Sequence, residues 1–175
     1  MRGGFGCSPC CSPPSDCVVT GPIGYDVLNN SVRGAQQFIT PSGGLTLYSA
    51  TVYLDAGQSL TTASDAVLEL WSNTTVPTDD PLITYYKPNA LLATFTPPGS
   101  VSTAMTFTLP DEPLTGSTRY FLVLYVKARS PQRNLRWQYV FEGEGCVLSV
   151  STSSDDGGAN WRPSSLGSPY RYAVN

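Results

Sequence analysis

Four cysteines stand within the first seventeen residues, spaced C-x2-C-C-x5-C at Cys7, Cys10, Cys11 and Cys17; a fifth, Cys146, lies far away. Four thiolates can hold a tetrahedral zinc ion. Adjacent Cys10 and Cys11 are awkward joint ligands of one ion, and nothing around them supplies a folded knuckle. A redox C-x-x-C requires a helix N-terminus and a thioredoxin-like setting, and Pro9, Pro13 and Pro14 oppose both. The third chemistry is the intermolecular disulfide. Neighbouring cysteines bond each other only with strain, yet each can reach a different chain. We expect Cys7, Cys10, Cys11 and Cys17 to be attachment residues of this kind, with zinc binding and an unpaired or intrachain arrangement as the alternatives. Cys146 begins a strand-like stretch and reads as a small buried hydrophobe.

Other chemistry is thin. The chain has no histidine, which removes the commonest general base, the commonest metal ligand and every His-activated nucleophile. Asp79 and Asp80, and Asp111 and Glu112, are sequence neighbours beside prolines. Neighbours on a loop do not flank a glycosidic bond from opposite sides, so both pairs read as solvated turns. Asp155 and Asp156 in SSDDGGANW offer hard oxygens on a Gly-rich turn, but the alternating acidic pattern and bidentate Glu of a calcium loop are missing; a turn is expected. No cofactor and no catalytic residue is expected, and the chain does not read as an enzyme. Trp137, Tyr139 and Phe141 alternate along one strand face and read as core. The aromatics expected to face a receptor are on loops: Tyr85, Tyr86 and Trp161.

The elements that must carry these residues are β. The chain has 175 residues, only 13% of them charged, with a net charge of −3; ordinary soluble proteins carry about 25% charged residues. Scattered basic residues give no stripe for nucleic acid. No apolar run reaches the ~20 residues of a membrane-spanning helix, so no membrane insertion is expected. Residues 1–17 lack the apolar centre of a signal peptide.

The chain divides into a Cys/Pro/Gly-rich extended leader (1–20), a linker (21–35) and a head domain (36–175). In the head, TLYSATVYLD alternates, with Tyr48, Ala50, Val52 and Leu54 on one face. AVLELW sets Ala66, Leu68 and Leu70 against Glu69. SNTTVPTDDPLITYYKPN reads as a long loop, and LLATF follows as a strand. AMTFTL puts Met105, Phe107 and Leu109 together, and PDEPLTGST reads as a turn. RYFLVLYV is apolar on both faces, as a central strand is. LRWQYVF, CVLSVS and YRYAV follow. About nine short strands without a helical pattern imply an all-β fold, an antiparallel two-sheet sandwich of jelly-roll type.

The order of pieces resembles the choice-of-anchor domains of bacterial surfaces and phage structural proteins. The resemblance rests on QQFIT (36–40), GGLTLYSATVYLD (43–55), AVLELWS (66–72), LLATF (91–95), PLTGSTRYFLVLYV (113–126), DDGGANW (155–161) and YRYAV (170–174). It implies a noncatalytic β-sandwich displayed on a surface, and a turn carrying Trp161. The C-terminal sorting tail usual in that family has no counterpart here, which points to anchoring at the other end. A Cys/Pro leader on a β body resembles small phage fibre or decoration proteins. Virion proteins are made in the host cytoplasm and meet an oxidising environment after release. The expectation is therefore a tail fibre, trimeric by analogy with fibres. Its leader joins it to copies of itself and to a baseplate or capsid protein, and its head meets host-surface glycans. A capsid decoration or cement protein and a secreted carbohydrate-binding module are the alternatives.

Overall fold

A computed structural model of the chain describes residues 23–76, 85–127, 133–140, 151–163 and 170–175. All five cysteines, Asp79, Asp80 and Phe141 lie outside the described residues. Among the described residues the architecture is antiparallel β, apart from a 3-10 turn at Ala63–Asp65. Eleven strands are described: β1 (Ile23–Leu28), β2 (Arg33–Ile39), β3 (Leu45–Tyr53), β4 (Ala66–Val76), β5 (Tyr85–Thr94), β6 (Ala104–Leu114), β7 (Arg119–Val126), β8 (Leu135–Val140), β9 (Ser151–Ser154), β10 (Arg162–Pro163) and β11 (Tyr172–Val174).

The first eight strands pair in a nested way: β1 with β8, β2 with β7, β3 with β6, and β4 with β5. This is the pairing of a long hairpin folded over on itself. One sheet runs β10-β9-β2-β7-β4-β5. The other layer consists of β1-β8 and β11-β3-β6, joined by an antiparallel bridge between Leu54 and Trp137. Between the layers lies one apolar core. Phe38, Leu68, Leu70, Leu122 and Leu124 come from the six-stranded sheet; Leu47, Val52, Met105, Phe107 and Trp137 come from the opposite layer. Alternate residues of each strand point to it, as the two-residue period of a strand dictates.

Alternation reads Met105, Phe107 and Leu109 correctly, and likewise Ala66, Leu68 and Leu70; all six are buried. RYFLVLYV is the central strand β7, flanked by β2 and β4 and buried on both faces. Four expectations change. Residues 23–28 and 33–35, read as linker, are strand, held by pairing with β8 and β7 across more than a hundred and about ninety residues respectively. The long loop expected from Ser72 is shorter. β4 continues to Val76 and β5 begins at Tyr85, with Thr75 opposite Tyr86. Pro88 is tolerated there because the β4–β5 register shifts and β5 pairs with a single described strand, the setting in which a strand accommodates proline. Tyr48 does not share a face with Ala50. A register shift between Leu47 and Ser49 buries Leu47 and turns Tyr48 to solvent, as one extra residue in a bulge must. Asp111 and Glu112 belong to β6 rather than to a turn.

Candidate functional site

The central strand has a second apolar face. Phe121 and Val123 of β7 and Ala35 of β2 point away from the main core, yet all three are fully buried. Trp71 of β4, Tyr86 of β5, Tyr125 of β7 and Trp161, just before β10, pack over them on the outside of the six-stranded sheet. Each of these four residues is half-buried.

Polar groups fix the rings. Glu69 lies on the same face, only 7% exposed. Its carboxylate accepts from Trp71 Nε1 at 2.9 Å through one oxygen and from Tyr125 Oη at 2.9 Å through the other. A buried carboxylate needs such donors. The Arg33 guanidinium lies over the Tyr125 ring, 3.9 Å from its centroid, and Arg119 lies over Tyr86 at 4.3 Å. Cation–π contacts of this kind are worth ~0.5–1 kcal/mol at partly exposed sites. Asn73 Nδ2 donates to the Arg119 carbonyl at 2.6 Å, tying β4 to the start of β7.

Trp161 arrives through the turn expected at SSDDGGANW. Asp156 accepts from Ser154 Oγ, from the Asn160 amide and from Asn160 Nδ2. These bonds, the Asn160 amide foremost, hold its carboxyl well below the usual carboxylate range. Gly157 and Gly158 take φ of 74° and 94°, a left-handed run that glycine adopts without strain. The Gly157 amide donates to the Ser31 carbonyl, fastening the turn to the chain before β2.

The structure thus brings two of the three expected receptor-facing aromatics, Tyr86 and Trp161, into one cluster. Tyr85, its neighbour on β5, is half-buried and does not join it. Neither tyrosine is a loop residue. Sequence reasoning missed Trp71, Tyr125, Glu69, Arg33 and Arg119. The signal was present, because RYFLVLYV is apolar on both sides and a two-faced strand requires a cover on each. Trp71 shares the Glu69 face of AVLELW by the same alternation.

Asp111 and Glu112 are adjacent along β6, where successive side chains point to opposite sides. Among the described residues, no three of His, Cys, Asp and Glu converge as a ligand set.

Tyrosine ionisation gives a test of this packing. Burial, then the hydrogen bond to Glu69, pushes the Tyr125 hydroxyl up to about 12. Burial raises Tyr170 as well, reinforced by Asp26, whose carboxylate accepts its hydroxyl at 2.6 Å, and burial alone raises Tyr172. A group with a raised native pKa contributes stability that is complete below its unfolded value, here 10.0, and lost as pH rises through the native value. Spectrophotometric titration of the ten tyrosines should show a fraction ionising well above pH 10, together with loss of the native circular-dichroism signal. Uniform ionisation near pH 10 with the fold intact would contradict the packing.

Compared with protein-family models, curated proteins and solved structures, the chain finds no match in any of the three.

Proposed function

We propose that this chain is a noncatalytic structural protein of a phage particle. It is a small homotrimeric tail fibre, joined to a baseplate or capsid protein through Cys7, Cys10, Cys11 and Cys17, with a β head that meets host-surface glycans. One observation carries the recognition half: Trp71, Tyr86, Tyr125 and Trp161, each half-buried, gather on one outer sheet face with their rings braced. Rigid aromatic surface stacks against the C–H faces of sugars at little entropic cost. The attachment half rests on cysteine spacing. Three weak head sites on one stalk act at high effective concentration, so modest affinity for a single glycan suffices. The noncatalytic reading is supported by the lack of histidine and by Glu69, whose two oxygens are already committed.

The test is the native-source assembly on denaturing gels with and without reductant, with bands identified by mass spectrometry. Multimers or a hetero-adduct that collapse on reduction, mapped to the leader cysteines, are expected, and the adduct names the attachment partner. Monomer in both lanes, with stoichiometric zinc in the native mass, would end the attachment reading. An adduct to a capsid rather than a tail protein would make this a decoration protein. The aromatic face equally favours a second reading, a secreted carbohydrate-binding module. Recovery of the chain free of particles would select it.

A further inference from the structure

The aromatic face carries uncommitted positive charge, and we infer that its ligand is an acidic oligosaccharide, one bearing uronic or sialic acid carboxylates, laid along the strands. This rests on the glycan-recognition reading above and narrows it to a ligand class. Arg33 and Arg119 mark the two ends of the face. Arg119 is opposite Ile39 in the β2–β7 register, and Arg33 lies six residues before Ile39 on β2. Six residues of strand span about 20 Å, the reach of a short oligosaccharide. Each guanidinium carbon stands over a tyrosine ring, 3.9 Å from the centroid for Arg33 and 4.3 Å for Arg119. A guanidinium carries five N–H donors, and the contact with a ring face uses none of them as a hydrogen bond to a carboxylate.

Among the described residues neither arginine has a carboxylate partner. The ion pairs there join Arg133 to Asp65, Arg136 to Asp55 and Arg162 to Asp155. Arg33 Nε is buried with no acceptor. Glu69, the carboxylate within the cluster, is nearly buried and already accepts from two rings. The acidic groups of the adjoining turn are also committed, Asp155 to Arg162 and Asp156 to Ser154 and Asn160, which leaves Arg33 and Arg119 as the cations of the face without a carboxylate partner among the described residues. Trp71, opposite Phe121, and Trp161, at the Arg33 end, offer apolar surface suited to pyranose faces, and a carboxylate at either end can take the paired donors of an arginine.

The full chain, with Arg33→Gln, Arg119→Gln and Trp71→Ala variants, would be applied to an array of uronic and sialic acid oligosaccharides beside neutral ones. The salt concentration would be low, then raised. Thermal melting would verify that each variant folds. Binding to the acidic set is expected, weakened by salt and by about tenfold for each arginine substitution, and lost with Trp71→Ala. If one arginine variant fails to fold, the other, at the opposite end of the face, gives the same reading. Equal binding of neutral and acidic glycans, unmoved by Arg33→Gln and Arg119→Gln, would overturn the acidic ligand while leaving glycan recognition standing. No binding to either set would overturn both.

Discussion

Replacing Trp137 by alanine should lower the unfolding free energy by about 3–5 kcal/mol, the range for removing a fully buried large aromatic. In a domain of this size that is a fall in Tm of roughly 6–20 °C. Trp137 is fully buried in β8. Its ring stacks on Tyr170 with centroids 4.2 Å apart and planes 8° from parallel. Its Nε1 donates to the Arg171 carbonyl at 3.0 Å, and its backbone forms the bridge to Leu54 that connects the two parts of the second layer. Alanine removes core volume, a ring stack and a hydrogen bond together. Trp137→Phe keeps most of the volume and removes one of two donors to the Arg171 carbonyl, which still accepts from the Tyr53 amide, a loss of ~0.5–1.5 kcal/mol. Urea denaturation of the three proteins measures both. An alanine variant within about 1 kcal/mol of wild type would mean that the two parts of the layer do not depend on this junction.

The second large effect is expected at Gly116. Two loops, Pro41–Gly44 and Thr115–Thr118, press backbone against backbone. Thr40 Oγ1 donates to the Thr115 carbonyl at 2.6 Å and accepts from the Thr118 amide at 3.0 Å; the Ser117 amide donates to the Pro41 carbonyl. A Cβ on Gly116 would overlap the Ser42 carbonyl and stand 2.8 Å from the Gly44 amide nitrogen. These are main-chain atoms that cannot rotate aside, so Gly116→Ala should cost at least ~2 kcal/mol by forcing the loops apart. Gly43→Ala is the matched control. A Cβ there meets nothing within 4 Å, and its effect should stay within about 0.5 kcal/mol. Equal melting temperatures for the two variants would refute this account of the loop contact.

The legible parts of the fold are those that follow from the two-residue period. Met105, Phe107 and Leu109 are buried where alternation places them, and β7 is central because it is apolar on both sides. What failed was set by distant pairing. Tyr48 escapes the core because a register shift against β6 inserts a residue, and nothing local in LTLYSATVY announces it. Asp26 and Gly34 look like linker residues until β8 and β7 are brought beside them. Of the candidate site, Tyr86 and Trp161 read, together with Tyr85, as receptor-facing loop aromatics, and both are half-buried in the structure. Their meeting over Phe121 is not legible, since Trp161 reaches the face through a turn that Asp156 organises and the Ser31 carbonyl anchors. Glu69 resembled an ordinary outward-facing charge; only the approach of Trp71 and Tyr125 turns it into a buried acceptor.

The nested strand pairing has a kinetic consequence. Ile23 is paired with Val140 and Leu28 with Leu135, so the first described strand to leave the ribosome cannot be satisfied until nearly the whole head has been made. Contacts of such separation close only after the entropy of the intervening chain has been overcome, which places the head among slow-folding, high-contact-order proteins with refolding times of milliseconds to seconds. The innermost pair, β4 with β5, closes over a much shorter span and is the natural place for the roll to begin. β1, at the outermost turn, pairs with β8, the last of the eight nested strands to be made.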